Sequence, residues 1–239
     1  MARRTKEEAA ITREQLIDAA ERVFRKRGLA GSTLAEVAAE AGVSRGALYW
    51  HFRDKSDLYA AMCERATLPL ENMLEEAASV AHADPLGSLR DLAVCALTRL
   101  ARDARAQAVF DVMFHKSERT SELATVAERE RRERGHCLMQ VERLLMQAVT
   151  KGQLPPDTDT ALATRALHAY MEGVMDQWVL DPSAFDLGSA APALIDVMLG
   201  GLCAAPPRIS RANRVVPETS AKRPERALTT QAERTTGEA

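Results

Sequence analysis

The chain has 239 residues, of which 46% are hydrophobic, and this is enough apolar sequence for a sizeable core. Its net charge of −2 argues against a protein that coats nucleic acid indiscriminately, although residues 1–60 carry 11 basic and 9 acidic side chains and residues 61–205 carry 14 and 21. The four cysteines lack the paired spacing of zinc or redox motifs, and the charged N-terminus lacks the apolar run of a signal peptide or membrane span, so we expect a cytoplasmic protein.

Helical periodicity dominates the sequence, and no stretch shows the two-residue alternation of strands, which predicts an all-α fold. Residues 12–27 carry apolar side chains at three- and four-residue steps, and Gly28 stands where a C-terminal cap belongs, so this segment is the first predicted helix. Thr33 is expected to cap a short second helix with Glu36 as its capping-box partner, and Gly42 is expected to end it.

Ser44 is predicted to cap a third helix over residues 45–52, and Asp54 or Ser56 to begin a fourth that extends to about residue 80. Asp157 or Asp159 is expected to begin one of the later helices. The other later predicted helices cover residues 85–96, 105–115, 121–151 and 189–202.

The segment from residue 33 to residue 52 reads as a short helix, a glycine turn and a second short helix, and this arrangement lets the second helix enter the major groove of DNA. Arg45 can contact guanine, Gly46 permits close approach of the backbone, and Ala47 fits beside a thymine methyl group. An ordinary helix end with solvated polar residues also fits this spacing, so the pattern alone leaves both interpretations open. The side chains suited to phosphate are Thr33, Ser44, Tyr49, His51 and Lys55.

Three apolar side chains of the same segment need separate interpretation. Leu48 and Phe52 are predicted to point into the core. Trp50 can pack on the DNA backbone or wedge between the first and fourth helices, and burial is the expected role for an indole.

Residues 33–59 resemble the DNA-binding domain of the TetR family of repressors. The segment Gly-Ala-Leu-Tyr-Trp-His-Phe at positions 46–52, followed by Lys55, carries the resemblance, and the chain looks most like the AcrR-type branch, which represses multidrug efflux pump operons. The resemblance implies a homodimer that binds a palindromic operator and is released when a hydrophobic drug enters the C-terminal domain. It also implies that residues 45–47 contact bases, while the five phosphate candidates named above hold the DNA backbone.

A candidate effector pocket follows from Phe and Met residues on two predicted helices, since these side chains adapt to irregular hydrophobic ligands. For each of these residues taken alone, ordinary core packing is the better explanation. His168 and Glu172 lie one helical turn apart, and they can bind a ligand or satisfy each other in a bundle interior. The resemblance implies a pocket lined by Leu70, Leu74, Leu92, Ala96, Phe110, Met113, Phe114, Cys137, Val141, His168, Met171, Glu172 and Met175.

The last two predicted helices carry more large apolar surface than a small bundle needs, which predicts a four-helix dimer interface. The other interpretation is that these side chains complete the intramolecular core. The residues concerned are Tyr170, Val174, Trp178, Leu194, Val197, Met198 and Leu202.

No catalytic or metal-binding motif stands out, because the five histidines lack ligand spacing and no phosphate-binding glycine loop or nucleophile elbow is present. We therefore expect no cofactor, no metal and no enzyme activity. Two alternatives stay open: a small-molecule binding protein with a vestigial DNA-binding head, and a helical enzyme that uses His168 and Glu172 as acid and base.

These predictions divide the chain into three parts. Residues 1–53 form a helix-turn-helix DNA-binding domain, and residues 54–205 form an effector-binding and dimerisation domain. Residues 206–239 are rich in Arg, Thr, Glu and Pro with few large apolar side chains, which predicts a disordered tail.

Overall fold

The computed structural model describes residues 6–117 and 124–209. In these ranges the chain is helical, with one isolated antiparallel bridge between Thr158 and Arg208 and no longer strand, so the all-α prediction is confirmed. The helices are α1 (Lys6–Arg27), α2 (Leu34–Glu40), α3 (Arg45–His51), α4 (Lys55–Ser79), α5 (Pro85–Arg102), α6 (Ala104–His115), α7 (Ala124–Thr150), α8 (Thr160–Leu180) and α9 (Leu187–Ala204).

The local signals in residues 33–54 form as predicted. The Thr33 side chain accepts a hydrogen bond from the Glu36 amide at 3.2 Å, and the Glu36 carboxylate accepts one from the Thr33 amide at 2.9 Å, which completes the capping box. Gly42 has a φ of 68°, and Ser44 caps α3. Of the two candidates at the start of α4, Asp54 is the cap.

The longer helices depart from their predicted ends. The first helix begins at Lys6 rather than residue 12, because Glu7 and Glu8 favour a helix start that places negative charge in the first turn. Asp159 rather than Asp157 caps α8, and its side chain accepts from the Leu162 amide.

The buried side chains form two hydrophobic clusters, and α4 contributes to both. The first cluster joins α1 to α3 with the first half of α4, from Leu58 to Ala66, and with two valines of α6. The second cluster joins Ala78, near the end of α4, with α5 to α9. The two clusters therefore use different parts of α4, one before Pro69 and one after it.

The first residues of the predicted tail are ordered and contact residues 157–159, directly before α8. The Asp159 amide donates to the Pro207 carbonyl at 2.8 Å, Arg208 bridges to Thr158, and the Arg208 guanidinium pairs with Asp157. The boundary at residue 205 was therefore placed too early, because these backbone bonds extend the ordered chain to Arg208. The predicted disorder of residues 210–239 lies outside the described residues.

Charged contacts hold α1 against α4 in the middle of the molecule. The Arg65 guanidinium of α4 lies 3.0 Å from Glu14 and 2.9 Å from Asp18, and it also pairs with Glu21. These carboxylates lie one turn apart on a single face of α1. Arg105, at the start of α6, adds a contact of 3.4 Å to Asp18.

The other end of α6 contacts the turn that follows α1. The Leu29 amide donates to the Lys116 carbonyl at 2.9 Å, and Lys116 Nζ donates to the Arg25 carbonyl at 2.8 Å. Lys116 Nζ also donates to Asp111 at 2.8 Å. Helix α6 is therefore bound to α1 at both of its ends.

Asp111 stands at the centre of this contact. Burial pushes the pKa of its carboxyl upward, but hydrogen bonds from Lys116 and His115 and the nearby charge of Arg25 outweigh burial, so the pKa lies below its ordinary value of 3.8. A lowered folded pKa stabilises the fold above the unfolded pKa, and this contribution is lost as pH falls through the folded value.

We expect Asp111→Asn to lower the free energy of unfolding by roughly 1–2 kcal/mol near neutral pH, because it removes the negative charge and one of the two oxygens that accept these hydrogen bonds. The difference from the unsubstituted protein should shrink as pH falls below 3.8, where Asp111 of the unfolded chain is protonated. Urea denaturation at a series of pH values measures it. Asp91→Asn, at an exposed carboxyl of α5, is the matched control, and a pH-independent difference would contradict the assignment.

Candidate DNA interface and effector site

The predicted DNA-contacting residues gather at one end of the molecule. Thr33 and Ser44 are the N-terminal caps of α2 and α3, and their side-chain oxygens accept from backbone amides. A surface groove between the two helices brings four of the eight predicted residues together. It is lined by Ser32, Thr33, Leu34, Ala35, Arg45, Tyr49 and Lys55.

Helix α3 presents a polar outer face because its inner face is fixed in the first core. Leu48 is fully buried and Phe52 is 2% exposed, as predicted. Arg45 and Gly46 are exposed in the first turn, whereas Ala47 and His51 are half-buried at the edges of the face. The arrangement suits a helix that lays one face against DNA.

The Lys55 side chain also makes hydrogen bonds within the fold that the sequence did not predict. Its Nζ atom donates to the Ala30 carbonyl at 3.3 Å and to the Ser32 carbonyl at 3.0 Å, in the turn before α2. An ammonium group has three donors, so one N–H is left for a further acceptor. These bonds fix the cation beside Thr33 at the edge of the groove.

The expectation that Trp50 is buried was wrong. The side chain is 72% exposed, and its ring meets His51 edge-on with 4.6 Å between ring centroids. Two residues advance a helix by about 200°, so the burial of Leu48 turns Trp50 to the opposite side. Trp50 therefore belongs to the outer face of α3 with Tyr49, which is 58% exposed.

The thirteen predicted pocket residues are all half-buried, and they lie on α4 to α8. Phe110 and Phe114 stack with 5.6 Å between ring centroids. Met113, one position before Phe114, packs instead against the first core, because the helical turn points it toward α1 and α4. Leu74, Leu92, Phe110, Val141, Met171 and Met175 pack on the second core.

His168 and Glu172 come together, but not as a hydrogen-bonded pair. His168 Nε2 lies 3.2 Å from Glu172 Oε1 out of hydrogen-bonding alignment, and Arg134 approaches the same oxygen at 3.3 Å.

Burial, together with the charges of Glu71 and Glu172, raises the pKa of the Cys137 thiol. A thiol kept protonated in this way is a poor nucleophile.

A buried polar layer near this pair was missed in the sequence. Thr164 is 2% exposed, and its hydroxyl has no hydrogen-bond partner among the described residues. Gln140 of α7 is 3% exposed, and it contacts His136 and Arg143. The four-residue step from Thr164 to His168 was the available signal, but a single threonine is unremarkable in a helix.

The last two helices divide the predicted interface residues between core and surface. Trp178 and Leu202 are buried, and the Tyr170 hydroxyl donates to the Leu194 carbonyl at 2.9 Å, so these side chains complete the intramolecular core. Val197, by contrast, is 72% exposed. Helices α8 and α9 also carry small exposed residues: Ala166, Ala169, Ala193, Gly200 and Gly201.

Helix α9 is also the one helix in the described ranges that is long and apolar enough to cross a membrane by length and composition. Its inner face packs in the second core through Ile195 and Leu199. Apolar helices of soluble bundles pass the same test, and the exposed small residues offer a surface for another helix.

In the part of the chain that the structure describes, no group of three His, Cys, Asp or Glu side chains is placed to hold a metal ion.

Comparison with known proteins identifies both parts of the fold. Residues 16–62 match the family model "Bacterial regulatory proteins, tetR family", and residues 84–203 match "MAATS-type transcriptional repressor, C-terminal region". The HTH-type transcriptional regulator TtgR of Pseudomonas putida is 37% identical over 206 residues, which cover 86% of this chain and 98% of TtgR.

Two solved structures extend the likeness to three dimensions. NalD, the secondary repressor of the MexAB-OprM multidrug efflux pump in Pseudomonas aeruginosa, has a TM-score of 0.74 at 32% identity and covers 82% of this chain and 98% of its own. The complex of SmeT from Stenotrophomonas maltophilia with triclosan has a TM-score of 0.73 at 32% identity, covering 80% and 91%. The chain belongs to the TetR family of bacterial transcriptional regulators, which are not enzymes.

Proposed function

We propose that the protein is a ligand-responsive repressor that binds a palindromic operator as a homodimer, controls a multidrug efflux operon and is released by hydrophobic drugs. The observation that carries the proposal is the outer face of α3, where Arg45, Tyr49 and Trp50 stand exposed beside a groove closed by Lys55. NalD and SmeT, which share the fold, are repressors of multidrug efflux pumps.

On DNA, the first turn of α3 supplies the sequence-dependent contacts. Arg45 donates to a guanine edge, while Gly46 and Ala47 allow the helix to approach the bases. Thr33, Ser44, Tyr49, His51 and Lys55 hold phosphates on either side of the groove, and the exposed indole of Trp50 adds apolar contact with the DNA. An exposed face of this kind also argues against a vestigial head.

The effector is expected to bind among the thirteen half-buried pocket residues, with its apolar body against Phe110 and Phe114 of α6. The same helix is bound to α1 through Arg105 and Lys116. A ligand that displaces α6 therefore acts directly on α1 of the DNA-binding domain as well as on α4.

Release requires that the effector bind the DNA-incompetent arrangement more tightly than the competent one, since equal affinity shifts no population. The two half-sites of an operator lie about 34–36 Å apart along the DNA. A change in the separation of the two DNA-binding domains of the dimer is therefore enough to release one domain from its half-site.

Dimerisation is proposed through the outer faces of α8 and α9. Small side chains allow two helices to approach closely, and Gly173 and Gly200 have open space where a Cβ atom would lie. Val197 is expected at the centre of the resulting four-helix contact.

Fluorescence anisotropy with DNA from upstream of the protein's own gene tests the function. We expect tight binding that exceeds binding to random DNA of the same length, and dissociation when triclosan or other hydrophobic drugs are added. Specific binding that no such compound reverses would contradict the effector proposal, and the absence of any preferred sequence in a genomic selection would contradict the repressor proposal.

Substitutions in the head separate base contacts from phosphate contacts. Arg45→Ala should cost about 1–3 kcal/mol on the operator and relax specificity, because it removes a base contact. Lys55→Ala should weaken binding to all DNA and reduce the slope of log affinity against log salt by about one. Arg53→Ala, which removes an exposed charge between the two, is the control, and an equal loss in all three would indicate a nonspecific charge effect.

The dimer proposal predicts that Val197→Arg yields monomers in analytical ultracentrifugation, because it places charge inside an apolar contact. Operator affinity should fall sharply, since a monomer holds only one half-site. Val80→Arg introduces the same charge at an exposed valine directly after α4 and should leave the dimer intact. A dimeric Val197→Arg variant would place the interface elsewhere.

A further inference from the structure

Two buried polar atoms on one face of α8 lack a hydrogen bond, and one of them, His168 Nε2, also lies 3.2 Å from Glu172 Oε1. The Thr164 hydroxyl and His168 Nε2 are both shielded from solvent, and neither has a hydrogen-bond partner among the described residues. The Thr164 side chain is almost wholly buried, with 2% of the residue exposed. A buried polar atom without a partner destabilises the fold.

The fold itself gives no reason for a threonine at this position. Valine has nearly the same shape and needs no hydrogen bond, so packing alone favours valine. A threonine and a histidine one turn apart, each with an unused polar atom, are instead suited to a ligand that supplies the missing partner.

These two residues continue a stripe that becomes apolar toward the end of α8. Thr164, His168, Met171 and Met175 follow one another at three- and four-residue steps and share one face. Polar groups therefore stand at the start of the stripe and thioethers at its end.

Contacts with neighbouring helices show what lies beside the polar end and the apolar end of this stripe. At the apolar end, His115 of α6 lies 3.1 Å from Asp176, which brings the C-terminal turn of α6, with Phe114, beside the end of the stripe. At the polar end, Thr160 donates to Glu142 of α7 at 3.3 Å, so this end faces the level of the buried Gln140.

We propose that Thr164 and His168 form a hydrogen-bonding seat that selects aromatic effectors carrying a hydroxyl group. The hydroxyl lies between Thr164 and His168, and the aromatic body extends along Met171 and Met175 toward the stacked Phe110 and Phe114. This inference rests on the proposed effector function and specifies the ligand class of the same site.

Isothermal titration calorimetry with the full-length protein tests the seat with two probes, triclosan and its O-methyl ether, which differ only at the hydroxyl. We expect the unsubstituted protein to bind triclosan about tenfold more tightly than the ether, as the loss of one buried hydrogen bond predicts. Thr164→Val combined with His168→Leu should remove this preference, so that the two compounds bind with equal affinity.

Thr160→Val is the matched control, because it removes a hydroxyl from the same helix whose bond goes to Glu142 rather than to the seat. The preference of the Thr160→Val variant for triclosan over the ether should be unchanged. A thermal melt of the Thr164→Val variant adds a second readout: its stability should equal or exceed that of the unsubstituted protein, so a loss of preference cannot come from unfolding.

The outcomes separate this inference from the function on which it rests. Equal binding of triclosan and the ether, or a preference that survives the double substitution, would overturn the seat while operator release by triclosan keeps the effector function. Failure of both probes to bind or to release operator DNA would overturn both.

Discussion

The fold depends on the attraction between Arg65 and three carboxylates of α1. This guanidinium belongs to the half of α4 that packs in the first hydrophobic core, and its side chain is 21% exposed, so the contacts are less screened than those of a surface pair. Glu14, Asp18 and Glu21 would otherwise repel one another along one face of α1. The same arginine thus offsets the repulsion within the acidic face and holds α1 against α4.

The two functional sites are built in different ways. The DNA-binding surface comes from about twenty consecutive residues whose conformation follows from local caps, so α3 would present the same face with little help from the body. The proposed effector site collects side chains from α4 to α8, and its shape depends on how those helices pack. Helix α6 is common to both parts, since it carries proposed effector-site residues and contacts the turn after α1.

This difference explains which features could be predicted from the sequence. The Thr33–Glu36 box, the Gly42 turn and the Ser44 cap follow from neighbours in the chain, and they formed as expected. The orientation of Trp50, Met113 and Trp178 depends on which face of a helix meets another element. Composition and periodicity describe a helix as apolar on one side, but they do not say which neighbour covers that side.

Pro69 gives α4 a mechanical property that follows from one missing N–H group. The carbonyl four residues earlier, at Arg65, cannot receive its helical bond, so the helix bends more easily there than elsewhere. Lys55 lies 14 residues before Pro69, about 20 Å along the axis at 1.5 Å a residue. A bend of about 10° at the proline carries that end sideways by about 3–4 Å, roughly the rise of one base pair. A small bend at Pro69 therefore moves the Lys55 end of α4 by a distance comparable to the spacing between base pairs.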